Sequence, residues 1–550
     1  MSIDKKLYQL YLSCVSESER LELKKYNHEQ LEFAFNRPLE FGTGGIREKM
    51  GIGPSLLNRY TIMQITKGLV DYLLVNKLMN GVAISYDNRK DSRVFAFTAS
   101  RVLSSYGIKS YVFNSLRPTP MLSFLVLYKK CSAGIMITAS HNPKEYNGYK
   151  VYDSSGAQFG LEEAESLAQF INKIKNPFII KAFDTSLVET IEDDFDNIYF
   201  EYLKRIPINE TSMSARIIYS PSHGTGGEVI PKYLETLGYI VTRTRTESYP
   251  DPNFSNMESP NPENASAFIN SIAAARAVKA QFIMITDPDA DRLGICYIDN
   301  NDVPHYLTGN QTAVIELYYI LTEKKNIKKG YVCTTNVTTP LIIKIAEKYG
   351  QKVKVTPTGF KFIGQWSRLI EGKYPYIFGC EESYGTLIKD YVRDKDAIQA
   401  CVMLAEIYNY CVDKDITILD YLDKIYKEFG YYHEYTNNVS FASLDSKERI
   451  SSIMNAFREA NHLFDNLKVK EDLLFETIKD DSEFVTDYRG LNVLKFIFND
   501  DSYVVLRPSG TEPKIKVYYS ACGASMDEAK NRVKELEQTI KKKMEEIVYV

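Results

Sequence analysis

A chain of 550 residues is too long for one hydrophobic core, and at about 100–200 residues per domain it should divide into roughly three to five. Its hydrophobic share of 44% and charged share of 25% are ordinary globular values without a low-complexity tract, so most of it should fold. A net charge of -4 and an isoelectric point near 6.0 argue against broad binding to nucleic acid or an anionic membrane, which makes any phosphate-binding site local.

The N-terminus, MSIDKKLYQLYLSC, has no apolar stretch with a cleavage site, and no run of about 18 apolar residues follows, so a cytoplasmic protein is expected. Residues 1–40 read as a helical lead-in. FGTGGIRE comes next and sets Arg47 behind a flexible glycine pair. Then a pattern appears three times: a short apolar strand, a helix-length stretch, an aromatic residue or Leu followed by Gly, and a second strand. The segments are AISYDNRKDSRVFAFTASRVLSSYGIKSYVF, RIIYSPSHGTGGEVIPKYLETLGYIVTRT and GYVCTTNVTTPLIIKIAEKYGQKVKVT. Gly107, Gly238 and Gly350 end their helices and suit a left-handed cap, so each segment is a βαβ unit.

A further strand follows each unit and ends in a polar loop: AGIMITASHNP, QFIMITDPDADR and YPYIFGCEESYG. Ligands of parallel α/β sheets bind beyond the C-terminal ends of strands, so three tandem domains would each offer one loop to a shared cleft. In TASHNPKEYNGYK, Ser140 sits just past its strand, where His141, Asn142 and Pro143 favour a tight turn. An exposed serine needs a base or a metal beside it, and His141, Lys150 and the aspartate loop are the candidates. SPSHGTGG places His223 in a comparable loop of the second unit.

In DPDADR, Asp287, Asp289 and Asp291 stand two residues apart directly after a strand, a spacing that points three carboxylates at one cation and suits magnesium. An EF-hand is excluded, because the sixth and twelfth positions counted from Asp287 are Arg292 and Ile298 rather than Gly and Glu. Glu381 and Ser383 of GCEESYG offer an acceptor and a donor for sugar hydroxyls. Nearby, PTGFK with Thr358, Gly359 and Lys361, and DYVRDKDA with Arg393 and Lys395, carry positive charge suited to a phosphate.

Beyond residue 430 the repeat stops. LNVLKFIFND and DSYVVLRPSGTEPKIKVYYSA read as paired strands and DEAKNRVKELEQTIKKKMEEI as a terminal helix, giving a separate α+β domain. Arg507, Ser509, Gly510 and Thr511 in RPSGT form a phosphate cradle by composition: a guanidinium fork, two hydroxyls and a glycine that lets backbone amides curl around an anion. The eight cysteines show no CxxC pair and read as small core residues in a reducing compartment.

TASHNP, DPDADR, EES and RPSGTEPK, in this order, resemble the α-D-phosphohexomutase superfamily. GTGGIRE followed by MGIGPSLLNRYTIMQITKG looks most like its long phosphoglucomutase-2 and phosphopentomutase branch, and the resemblance runs from about residue 40 to 520. It implies three tandem mixed α/β sheet domains plus a C-terminal α+β domain around a central cleft. The expected limits are 1–40 for the lead-in, then 41–205, 206–318, 319–430 and 431–550. It implies that Ser140 is the phosphoserine and shares a magnesium ion with Asp287, Asp289 and Asp291. Arg47, His141, Lys150 and Arg292 would assist the reacting phosphoryl group or proton transfer, with no single general base picked out. Glu381 and Ser383 would bind sugar hydroxyls, while Thr358, Gly359, Lys361, Arg393, Lys395 and the 507–511 cradle would bind the rest of the substrate.

The activity so implied interconverts glucose 1-phosphate and glucose 6-phosphate, with glucose 1,6-bisphosphate or an equivalent sugar bisphosphate as activator and small sugar phosphates as the partners. A monomer or weak dimer that binds neither nucleic acid nor membrane is expected. Glu382, where dual-specificity relatives usually carry Met, favours glucose over mannose, and pentose phosphates stay open because the branch includes phosphopentomutases. DKDA at 394–397 departs from relatives that end this motif in Gly. Two other classes compete: a catalytically retired sugar-phosphate-binding protein, although Ser140 and all three aspartates are kept, and a metal-dependent glycosyltransferase, which needs neither the serine loop nor a second phosphate cradle.

Overall fold

The computed structural model describes residues 4–37, 39–42, 44–178, 182–441, 446–460, 464, 466–478, 488–509 and 513–548. The lead-in is helical, with segments Lys5–Cys14, Glu17–Leu23 and His28–Phe35 whose N-termini are capped by Asp4, Ser16 and Asn27. They bury Tyr11, Leu23 and Phe35 against Tyr60 and Phe178, so this segment is packed onto the first domain rather than free.

The first sheet contains β1 (Ile46–Lys49), β2 (Val82–Tyr86), β3 (Ser110–Phe113), β4 (Ala133–Ile137), β5 (Tyr146–Asp153) and β6 (Val188–Ile191), ordered β1-β5-β4-β2-β3-β6. The second holds β7 (Arg216–Ser220), β8 (Ile240–Arg243), β9 (Phe282–Thr286), β10 (Leu293–Ile298) and β11 (Pro304–Leu307), ordered β11-β10-β9-β7-β8. In the third, β12 (Tyr331–Thr335), β13 (Lys352–Thr356), β14 (Tyr376–Glu381) and β15 (Gly385–Leu387) run β13-β12-β14-β15. The same arrangement recurs. In each, the first strand of the βαβ unit (β2, β7 or β12) lies parallel between the unit's second strand (β3, β8 or β13) and the strand that follows it (β4, β9 or β14), and the latter turns back into an antiparallel return strand.

β2, β4, β9, β12 and β14 are buried along their whole length. This is the pattern of strands covered on both faces by helices, and it explains their unbroken apolar runs. Gly107, Gly238 and Gly350 have φ of 78°, 99° and 72°, the left-handed helix ends the sequence requires.

The fourth sheet is antiparallel throughout: β16 (Tyr431–Ser440), β17 (Leu467–Asp472), β18 (Leu494–Phe498), β19 (Tyr503–Pro508) and β20 (Lys514–Gly523), ordered β16-β20-β19-β18-β17. Helices Ser446–Glu459 and Met526–Val548 complete its core with β18, β19 and β20. Three mixed α/β domains and one α+β domain therefore make up the molecule. Among the described residues no helix is long and apolar enough to cross a membrane, and all eight cysteines are free, six of them buried.

Candidate active site

The turn between the third strand and the return strand carries the polar loop in each of the three α/β domains: 138–145 after β4, 287–292 after β9 and 382–384 after β14. Each turn also holds one non-glycine residue in the left-handed region, Ser140 at φ 52°, Ala290 at 50° and Tyr384 at 63°. An L-residue there is disfavoured by about 1–2 kcal/mol, so each turn must be fixed by its surroundings.

Ser140 is 2% exposed. Its Oγ donates to Asp287 Oδ2 at 2.8 Å and lies 3.1 Å from His141 Nδ1. The one hydroxyl proton serves Asp287, so His141 faces the serine with Nδ1–H as donor. Burial, with Arg292 and Arg47 close by, holds His141 well below its ordinary pKa and therefore neutral. Arg47 lies on β1 opposite Gly148 and donates to Asn142 Oδ1 at 2.8 Å, inside the serine turn.

The aspartate loop approaches from the second domain. Its three carboxylates are fully or almost fully buried, and one oxygen from each lies within 4.8 Å of the others. Lys150 Nζ, on β5, is 2.9 Å from Asp289 Oδ2 and 3.7 Å from Asp291 Oδ2. Thr119 Oγ1 donates to the same Asp289 oxygen at 3.0 Å. Asp287 Oδ1 accepts the backbone amides of Asp291 and Arg292, both at 3.1 Å. Burial, then the charges of Asp289 and Asp291, push Asp287 well above the usual carboxylate range. Burial also pushes Asp289 upward, but Lys150 and the hydrogen bonds it receives outweigh this and hold it below its ordinary value.

Two oxygens of the set, Asp289 Oδ1 and Asp291 Oδ1, are buried without a hydrogen-bond partner. A buried carboxylate oxygen left unpaired is costly, and an all-oxygen group that keeps such positions free matches a hard divalent cation. These residues fit a magnesium ion.

The third domain closes the cluster. Lys395 Nζ stands 3.2 Å from Asp291 Oδ2, 3.2 Å from Asp394 Oδ1 and 3.8 Å from Glu381 Oε1. Arg292 pairs with Glu263 at 2.7 Å. Ser140, His141, Arg47, Lys150, the three aspartates, Arg292, Glu381 and Lys395 thus meet at one place drawn from three domains. Gly224 permits the approach of the His223 loop, since a Cβ there would stand 2.4 Å from the backbone of Pro288. His223 itself is turned to Tyr249, with Nδ1 2.8 Å from its carbonyl.

A second cationic group forms where the fourth domain meets the third. Lys361 is 8% exposed, and burial together with the charge of Arg507 lowers it to about 8. Lys516, opposite Arg507 in the β19–β20 register, is lowered by burial as well. Glu382 is raised to about 7 by burial and by Glu381. Thr358 Oγ1 donates to Asn336 Oδ1 at 3.3 Å, and Gly359 at φ 118° caps the helix Phe360–Ile370 that carries Lys361. Ser383 is half-buried beside Glu382, and the Ser509 amide donates to Lys514 O at 2.9 Å. Gly510 and Thr511 lie outside the described residues.

Arg393 is not brought into either cluster. Its guanidinium pairs with Glu371 at 3.2 Å and Asp390 at 3.7 Å, and its amide donates to Ser123 Oγ at 2.9 Å. The sequence pattern does not mark out Asp87, Arg89, Thr119 or Glu263, each bonded to one of the loops above, or the role of Asp394, which pairs with Lys395 and Tyr152. The available signal was the string SYDNR, which puts an ion pair directly beyond the C-terminal end of a parallel strand.

Family models described as phosphoglucomutase/phosphomannomutase alpha/beta/alpha domains I, II and III and C-terminal domain match residues 38–178, 197–300, 308–429 and 466–539. A phosphoglucomutase of Staphylococcus haemolyticus is 35% identical over 505 residues, spanning 89% of this chain and 91% of the relative. A phosphoglucomutase of Staphylococcus aureus strain N315 is 34% identical over 511 residues, spanning 91% and 92%. Among solved structures, the open form of the exocytosis-sensitive phosphoprotein pp63/parafusin, a phosphoglucomutase from Paramecium, shares the fold with a TM-score of 0.71 at 20% identity, over 92% of this chain and 95% of that one. With its loops meeting at one buried cluster, four consecutive domain models matched and relatives aligned over nine-tenths of its length, the chain belongs to the phosphoglucomutase/phosphomannomutase family.

Proposed function

We propose that this protein is a phosphosugar mutase that interconverts glucose 1-phosphate and glucose 6-phosphate through a phosphorylated Ser140 and a bisphosphorylated sugar. The observation that carries this reading is the serine hydroxyl 2.8 Å from Asp287, inside a buried carboxylate set in which Asp289 Oδ1 and Asp291 Oδ1 have no hydrogen-bond partner. The names of the staphylococcal relatives favour glucose as the sugar. Asp287, Asp289 and Asp291 would hold magnesium, which supplies positive charge against the phosphoryl oxygens when bound.

In the first half-reaction the bond between Ser140 Oγ and phosphorus breaks as a sugar hydroxyl oxygen bonds to the phosphorus, the hydroxyl proton leaves to a base and Ser140 Oγ takes up a proton; in the second, Ser140 Oγ gives up that proton and bonds to the other phosphate of the bisphosphate, whose bond to its sugar oxygen breaks as that oxygen is protonated. Lys150 is held protonated by Asp289 and Asp291 despite its burial, so it stabilises charge and does not accept that proton. His141 is neutral with Nδ1–H facing the serine, so the lone pair it offers to that proton is on Nε2. Arg47 and Arg292 border the same point and balance the equatorial oxygens. Glucose 1,6-bisphosphate would prime the serine, turn over in the cleft and return its other phosphate, while Lys361, Arg507 and Lys516 would grip whichever phosphate is not reacting. Small sugar phosphates are then the partners, and free cysteines throughout suit a reducing cytoplasm.

The test is a coupled assay with glucose 1-phosphate, mannose 1-phosphate and ribose 1-phosphate in magnesium and catalytic glucose 1,6-bisphosphate, run beside Ser140→Ala. Turnover that is fastest with the glucose ester and absent from the variant is expected. No turnover of any ester, or a Ser140→Ala protein as active as the parent, would sink the mechanism and leave a sugar-phosphate-binding protein.

A further inference from the structure

We propose that Arg89 is a positioning residue for the reaction, holding the Ser140 turn in register with the aspartate loop of the second domain. The proposal rests on Ser140 as the phosphoryl carrier but is argued from contacts that Ser140 itself does not make through its hydroxyl.

Asp87, Asn88 and Arg89 follow β2 directly, and all three are buried, at 2%, 7% and 3% exposure. Three consecutive polar side chains in that state are costly unless their groups are bonded, and here only Asn88 Oδ1 and Arg89 Nε lack a hydrogen-bond partner. Arg89 spends its fork on backbone. Its Nη2 donates to Ser140 O at 2.6 Å and Asn142 O at 2.5 Å, and its Nη1 to Pro143 O at 2.8 Å and Tyr146 O at 3.0 Å. Both arms of the turn are therefore tied to one planar group.

Asp87 answers from the other side. Its carboxylate lies 3.1 Å from Arg89 Nε and accepts Thr138 Oγ1 at 2.7 Å and Ser92 Oγ at 2.7 Å. Thr138 Oγ1 in turn accepts the Ser140 amide at 2.8 Å. The Ser140 C=O is thus held by Arg89 and its N–H by Thr138, which Asp87 anchors in turn, and this over-determination is what a serine at φ 52° needs.

The same guanidinium reaches across to the second domain. Its carbon lies 5.3 Å from the ring centroid of Phe254, and Asn88 Nδ2 donates to Asp251 O at 2.9 Å. The loop bearing Phe254 is packed on His223, at 6.3 Å between rings, and the next residue of that turn, Gly224, abuts Pro288 between the metal-binding aspartates. One arginine therefore touches the nucleophile's turn on one face and the domain that carries the aspartates on the other. A lysine, with a compact point charge, cannot serve carbonyls on two arms of a turn and a ring face together.

Arg89→Lys, with Phe254→Leu as the milder second variant, tests this in the full-length protein. In the glucose 1-phosphate assay kcat should fall about 100-fold for Arg89→Lys, the scale of loss that a displacement of about 1 Å produces, with KM changed less than about threefold and the melting temperature nearly kept. Phe254→Leu should give the same split at about tenfold. Hydrogen exchange should show lost protection confined to the peptide spanning 138–146, with β2 and β4 unchanged. Unaltered kcat, unaltered exchange in that peptide, or losses that track global unfolding in both variants would each overturn the proposal. If the parent protein turns over no sugar phosphate while exchange still shows the turn released, the mutase reading falls and the positioning of Ser140 stands.

Discussion

A serine hydroxyl is a weak nucleophile at neutral pH, and Ser140 differs from a turn serine only in what surrounds it. Its neighbours were chosen by the fold from distant parts of the chain, and charge decides their roles. Asp289 is the most telling, because it is held ionised by Lys150 while one of its oxygens stays free. Chelation of divalent ions should abolish turnover and added magnesium restore it. Asp289→Asn should strip the buried Lys150 of the nearer of its two carboxylates, leaving Asp291 at 3.7 Å, a loss of up to about 3–5 kcal/mol, and titration calorimetry should show no magnesium uptake at concentrations that saturate the parent.

Lys361 gives a prediction with a sign. Burial and Arg507 both oppose its charge and place its pKa at about 8 in the free protein. A bound phosphate favours the charged form, so binding takes up a proton above that pH. The KM for the sugar phosphate should therefore rise as pH increases through about 8, and Lys361→Met should flatten that limb. A pH profile of kcat/KM for the two proteins checks it. Residue types at this scale were legible in PTGFK and RPSGT, but side-chain direction was not. Arg393 stands two positions from Lys395 and looks equivalent in the sequence, yet it turns to Glu371 and Asp390.

The recurring element is a strand, a polar turn and a return strand, and it positions the chemistry three times. The apolar runs and helix-ending glycines announced the parallel strands. The return strands were less visible, since YNGYKVYD, LGICYI and GTL differ in length and pattern, and what unites them is pairing to a neighbour that the sequence does not name. Gly148 shows how tight this element is. A Cβ there would stand 2.3 Å from Thr138 O and 2.7 Å from Ile46 O, so β5 passes between the serine turn and β1 only because no side chain is present. Gly148→Ala should cost about 1–3 kcal/mol through overpacking and should lower kcat as well, because Arg47 faces Gly148 across the β1–β5 pair. Denaturant unfolding and the coupled assay on one preparation would measure both. A stable, fully active variant would mean that the turn is softer than its contacts imply.

Across the whole molecule, charges from three domains form a continuous path: Lys150 on the first, Asp289 and Asp291 on the second, Lys395, Asp394 and Glu381 on the third. No sequence pattern could state this path, because each loop carries surplus charge that only the other loops neutralise. The first and third domains also touch directly, through Tyr152 OH donating to Asp394 Oδ2 at 2.7 Å. Tyr152 lies on the same strand as Lys150, so the two lysines of the path are joined through one tyrosine and one aspartate. If that bond sets Lys395, Tyr152→Phe should reduce kcat about tenfold at unchanged secondary structure. Asp394→Asn should do likewise, and the double variant should be little worse than either, because groups in contact couple by about 0.5–3 kcal/mol. Rates that instead multiply in the double variant would mean that the first domain and the Lys395 loop act independently, and the bond between them is packing alone.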